Sequence, residues 1–170
     1  VAIVGTGSSG IQIAQELSSV VKQLTVFQRT PKMSFPMAQV DYDLPKQAPP
    51  ESEYPSLFAN RVKGFSGLPF DFLPRSTFAD TPERRLRTYE ELWGEGDFKF
   101  LIASYSDVLF THETIREAYS FWRDKTRARI HCSKVADILA PIEQPYAFGC
   151  KRIALERGYF EIYNQPNVSE

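Results

Sequence analysis

Hydrophobic and polar positions alternate in three different ways along the chain. Val1-Ala2-Ile3-Val4 is a short β-branched run that stops at Gly5, as a buried strand does. Ile13, Ala14, Leu17, Val20 and Val21 then recur at helical spacing, which predicts a helix from about Ser9 to Val21 with one apolar face. Leu24 to Gln28 returns to strand-forming residues and closes a right-handed βαβ unit. From Pro31 the texture changes, because nine of the twelve prolines, Pro45 among them, fall between residues 31 and 82. Proline removes a backbone donor and restricts its predecessor, so a continuous sheet is not expected there. Leu57, Phe58 and Val62 would anchor a short helix, and the aromatics Phe65, Phe70, Phe72 and Phe78 argue against disorder.

The remaining pattern is helical. Thr81-Pro82-Glu83 combines an N-cap, a proline in the first turn and an acid at the positive end of the dipole. Leu86, Tyr89, Leu92 and Trp93 would be the buried stripe of that helix, with Gly94 as its stop. Thr111 begins another, with Ile115, Ala118, Tyr119 and Trp122 on one face, and Ser133 to Ala140 forms a third that Pro141 ends. A last helix is expected from Ile153 to about Tyr163. Trp93 and Trp122 read as packing residues, and His112 and His131 as surface or capping residues. These patterns give an α/β fold, with three regions: residues 1–35, a mostly helical insertion over 36–142, and a return over 143–170.

Composition narrows the function classes. The 20 basic and 21 acidic side chains leave a formal net charge of −1, so no polyelectrolyte footprint marks nucleic acid as the partner. No run approaches the roughly 18–20 apolar residues that span a bilayer, and no signal-peptide pattern opens the chain. Cys132 and Cys150 have neither a metal-ligand spacing nor the makings of a disulfide framework, which suits a reducing, cytoplasmic setting. Only two parallel strands are convincing, and Pro166 to Glu170 reads as the approach to another. Parallel sheets are covered on both faces and hold about 5–6 strands. The expectation is a fragment of a larger chain, poorly soluble alone because a sheet edge and a face are left open.

The chemistry concentrates in two places. Gly5-Thr6-Gly7-Ser8-Ser9-Gly10 fits G-x-G-x-x-G between a strand and a helix, the context in which that loop cradles a dinucleotide pyrophosphate. Unpaired N–H groups of the helix start would meet the anion, with the hydroxyls of Thr6, Ser8 and Ser9 as further donors. The second strand ends in Gln28-Arg29-Thr30, where a site for NAD or FAD carries an acid. A guanidinium and a hydroxyl suit a 2′-phosphate, which points to NADP(H); the alternative is a solvated surface arginine. Tyr146-Ala147-Phe148-Gly149-Cys150-Lys151-Arg152 precedes the expected last helix, and two cations there would oppose its dipole unless an anion lies nearby. Alternatively, both point into solvent or pair with Glu156.

GTGSSGIQ, then VFQRTP, then PYAFGCKRIALERGYFEIYNQPNV together resemble the Baeyer–Villiger monooxygenases, of the phenylacetone and cyclohexanone monooxygenase type. The resemblance covers residues 1–31 and about 135–168 closely, and the middle in length and helical character. It implies a flavoprotein with separate FAD and NADP domains, in which a helical insertion interrupts a Rossmann-type NADP-binding βαβ unit. The cofactors implied are NADPH and FAD, the latter bound mainly by an FAD domain of the same polypeptide that this chain lacks. The reaction implied inserts one atom of O₂ next to a ketone carbonyl, giving an ester or lactone, and the 170 residues alone are expected to be inactive. Carried over residue by residue, Gly5 to Gly10 with Gln12 would hold the pyrophosphate region, and Arg29, Thr30 and Lys151 the 2′-phosphate. Arg152 would be the active-site arginine that stabilises developing negative charge. Cys150 receives no role. An N- or S-oxidising flavin monooxygenase and a stand-alone, non-catalytic NADP(H)-binding module are the rivals. A short-chain dehydrogenase is disfavoured, because its T-G-x-x-x-G-x-G loop and Tyr-x-x-x-Lys pair are missing.

Overall fold

The computed structural model describes residues 1–39 and 48–170. β1 (Ala2–Val4), α1 (Ser8–Leu17) and β2 (Leu24–Phe27) form the βαβ unit, with β1 and β2 parallel and Ile3 opposite Val26. Ile3, Leu24 and Val26 point to the face that Ile11 and Ala14 of α1 cover, so alternation on the strands meets the helical stripe. On the other face Val4 is 86 % exposed and Phe27 56 % exposed, so this side of the sheet is uncovered. The third strand is β5 (Val168–Ser169), which pairs with β2 in parallel and gives the order β1-β2-β5. Its partner lies 144 residues away in sequence, as the hydroxyl contact of Thr25 with Ser169 shows.

Everything between β2 and β5 loops out and returns. At the neck, β3 (Ser34–Pro36) pairs in parallel with β4 (Ala154–Glu156), a second small sheet. The looped-out part carries α2 (Tyr54–Arg61), α3 (Pro82–Glu95), the single turn α4 (Lys99–Ile102), α5 (His112–Arg127) and α6 (Ser133–Leu139). Phe35, Tyr89, Trp93, Phe100, Phe121 and Phe148 form its aromatic centre, with Phe100 stacked on Phe121 at 5.3 Å. The Trp122 indole donates to the Ser34 carbonyl at 2.9 Å, which fastens α5 to the neck. Thr81 caps α3 by accepting from the Arg84 amide.

Several expectations change. The helix expected from Ile153 is instead β4, a turn, and a 3₁₀ segment at Glu161–Asn164. The Glu156 side chain is fully buried, pairs with Arg129, and accepts the amides of Gly158 and Tyr159. Pairing with β3 and this carboxylate cap capture the backbone groups a helix would use. α1 stops at Leu17 rather than Val21, because Ser18 donates to Gln15 and the Asn167 amide takes the carbonyls of Ser18 and Val21. α3 passes Gly94 and ends where the Gly96 amide donates to Leu92 and Trp93. Leu86 on α3, and Phe58 and Val62 at α2, are exposed rather than core residues. β3 stands inside the proline-rich stretch, with Pro36 at its end, while Pro45 lies outside the described residues. Among the described residues, no helix is long and apolar enough to cross a membrane.

Candidate functional site

Three segments meet at the carboxyl ends of β1 and β2, where parallel α/β sheets bind their ligands. The first is the glycine loop. Gly5 has a φ of +95°, a left-handed conformation that side chains disfavour, and its amide donates to the Phe27 carbonyl at 2.8 Å. A Cβ at Gly10 would lie 2.3 Å from the Gly5 carbonyl oxygen, so the close approach of helix to turn requires glycine there. Gly7 is the N-cap of α1, and the space where its Cβ would stand is open. No side chain caps this helix start and its first turn holds no acid. Its amides therefore present partial positive charge to whatever enters.

The second segment follows β2. Arg29 is exposed and Thr30 half-buried, and the Thr30 carbonyl accepts from the buried Thr6 hydroxyl at 3.5 Å. Next comes Lys32, whose ammonium donates to the Arg152 carbonyl. Burial, foremost, and the neighbouring charge of Lys151 hold the Lys32 pKa below its ordinary value.

The third segment approaches from the far end of the insertion. Phe148 is buried in the aromatic centre, and Gly149 turns with a φ of +79° where a Cβ would strike Leu109 at 2.5 Å. The Tyr146 hydroxyl accepts the Met33 amide and donates to the Pro31 carbonyl, both at 3.0 Å. That hydroxyl binds the third segment to the second. The Lys151 ammonium rests 4.3 Å from the centre of the Tyr146 ring, a cation–π contact at the cleft wall.

Together these segments enclose a cleft of about 440 Å³ lined by Gly5, Thr6, Gly7, Arg29, Thr30 and Lys151, with Val4, Phe27, Pro31 and Lys32 completing it. No acid is among the described lining residues. The structure thus gathers six of the sequence-derived candidates. Ser8, Ser9 and Gly10 build the helix start behind the lining, and Gln12 sits exposed on α1. Arg152 is also exposed and contributes its carbonyl rather than its guanidinium to the cleft's framework. Lys151 and Arg152 precede a strand rather than a helix, so no helix dipole opposes their charges. Sequence reasoning missed Lys32 and Tyr146. The signal for Lys32 was its place two residues after Thr30; nothing local marked the Tyr146 hydroxyl.

No protein-family model matches the chain. The chain is 44% identical over 169 residues to cyclopentanone 1,2-monooxygenase of Comamonas sp., covering 99% of this chain and 31% of that protein. It is 32% identical over 172 residues to a Baeyer–Villiger monooxygenase of Pseudooceanicola batsensis, covering 99% of this chain and 30% of the relative. Its fold matches the crystal structure of OTEMO in complex with FAD and NADP at a TM-score of 0.92, with 28% identity, over 99% of this chain and 31% of that one. The chain therefore spans about 31% of the length of the relatives it matches. Over nearly all of its 170 residues the chain is therefore similar, in sequence and in fold, to about a third of a Baeyer–Villiger monooxygenase.

Proposed function

We propose that the cleft binds NADPH, with the pyrophosphate on the Gly5–Gly10 loop and the 2′-phosphate on Arg29, Thr30 and Lys151. The observation that carries this reading is the convergence of an uncapped, glycine-bare helix start with these two cations and a hydroxyl on one cleft. The residues fit the group: backbone N–H groups for a diphosphate, and charge-assisted donors where an acid would select against a second phosphate. On this reading residues 1–35 and 143–170 form a Rossmann-type NADP unit, interrupted by the insertion over 36–142.

Bound NADPH supplies the hydride, and FAD, held mainly outside these residues, completes the redox chemistry. This chain's own part is to bind and orient. The glycine loop fixes the diphosphate, and Arg29 and Lys151 fix the far end of the nucleotide by charge. The Arg152 guanidinium would stabilise the anionic character that develops as oxygen is inserted next to a ketone carbonyl. The polypeptide that carries this chain is accordingly a monooxygenase giving esters or lactones from ketones with O₂. The test uses that polypeptide, with NADPH and cyclopentanone, and lactone read by gas chromatography. Lactone should form in the parent and vanish in Arg152→Ala, while NADPH oxidation stays measurable. Lactone formation undiminished in Arg152→Ala refutes the assigned role, and tighter binding of NAD⁺ than of NADP⁺ refutes the cofactor.

A further inference from the structure

We propose that Lys32 is a specificity-determining residue of the cleft, a third cation that reads the 2′-phosphate of the nucleotide. The inference rests on the reading of the cleft as an NADPH site. Lys32 lines the same cleft as Arg29, Thr30 and Lys151, on the segment that directly continues from Thr30. Unlike Arg29 and Lys151, which are exposed, Lys32 is half-buried, so its charge acts where water screens it less.

Its position is also set in advance. The ammonium donates to the Arg152 carbonyl, a contact spanning 120 residues of sequence. A free lysine side chain carries about 2 kcal/mol of rotamer entropy, and a tether of this kind reduces what remains to be lost when a ligand arrives. That carbonyl occupies one of the three N–H donors an ammonium has. Lys32 and Lys151 line the same cleft, and the repulsion of Lys151 adds to the larger effect of burial in holding the Lys32 pKa down. A phosphate monoester carries a charge of about −1.5 to −2 near neutral pH, so it relieves that repulsion as it binds. A nucleotide with a plain 2′-hydroxyl leaves the repulsion in place. Lys32 therefore discriminates in two ways: it attracts the phosphorylated ribose, and it leaves an unrelieved cation pair when the phosphate is missing.

The test compares NADP⁺ and NAD⁺ affinity, by calorimetric titration, in the full polypeptide bearing Lys32, Lys32→Met, Lys32→Gln or Lys32→Arg. NADP⁺ binding should weaken about tenfold or more in Lys32→Met, the worth of one charge-assisted hydrogen bond, with NAD⁺ changed less than about twofold. Lys32→Gln, which can still donate to a carbonyl, should lose the preference in the same way, and Lys32→Arg should hold NADP⁺ within about threefold. Titration with 2′,5′-ADP should follow NADP⁺, locating the effect at the phosphate. Equal losses for NADP⁺ and NAD⁺ would show a structural role and overturn the proposal. So would an unchanged NADP⁺/NAD⁺ ratio in Lys32→Gln, which stands as the test even where Lys32→Met fails to fold. A parent protein without preference for NADP⁺ overturns the cofactor reading itself; a preference that survives in both neutral variants overturns only the role of Lys32.

Discussion

Replacing Tyr146 with Phe isolates one hydroxyl on which the cleft's geometry depends. The ring stays, so the cation–π contact with Lys151 at 4.3 Å and the packing of the segment are kept. Two hydrogen bonds are lost, from the Met33 amide and to the Pro31 carbonyl, each 3.0 Å long. Their costs differ. Pro31 is half-buried, so water can reach its carbonyl and the loss is about 1 kcal/mol. Met33 is 1 % exposed, and its amide would be stranded without a partner, at about 1–3 kcal/mol. The sum is about 2–4 kcal/mol of local stability. The same change removes two of the ties between the segment bearing Arg29, Thr30 and Lys32 and the segment bearing Lys151. Urea unfolding of the full polypeptide should show the destabilisation, and NADP⁺ titration should show weaker binding at unchanged cleft composition. A stability change under about 0.5 kcal/mol together with parental affinity would refute the reasoning, because the hydroxyl could then not be the fastener.

Two further outcomes follow from packing and burial. Gly10→Ala places a methyl 2.3 Å from the Gly5 carbonyl, so the turn must open; nucleotide affinity should fall more than tenfold, while Gly7→Ala, with open space at its Cβ, should leave the fold's melting temperature intact. Burial pushes the Tyr119 phenol up to about 12, and its hydroxyl donates to the Pro141 carbonyl at 2.6 Å. The unfolded chain ionises this phenol near the ordinary value of 10.0, so between there and about 12 the native state holds more protons and loses stability as pH rises. Tyr119→Phe should make the alkaline limb of a stability–pH curve shallower, at a cost of about 1 kcal/mol at neutral pH for the missing bond; an unchanged slope would contradict this.

The legible parts were those whose physics is local. A β-branched run ending in glycine, a helical stripe and a second strand specify the βαβ unit within 28 residues, and G-x-G-x-x-G says what its turn can approach. Thr81-Pro82 and the Ile115 to Trp122 stripe likewise placed α3 and α5, because caps and one-sided burial act over a few residues. Where local preference met a distant partner, the partner won. Ile153 to Tyr163 has helical spacing, yet Ser34–Pro36 supplies a strand edge and Arg129 draws Glu156 inward, so the backbone is spent on pairing and on the carboxylate.

The cleft shows the same division. Sequence alone named the glycine loop, Arg29, Thr30 and Lys151, since each belongs to a recognisable run of neighbours. Only the tertiary structure decided that Lys32 and Lys151 line one cleft, that Tyr146 joins two walls, and that Arg152 enters the framework through its carbonyl. Those contacts join residues more than a hundred positions apart, and no periodicity encodes them. They arise because β3 and β4 close the neck of the insertion and bring its two ends into hydrogen-bonding distance.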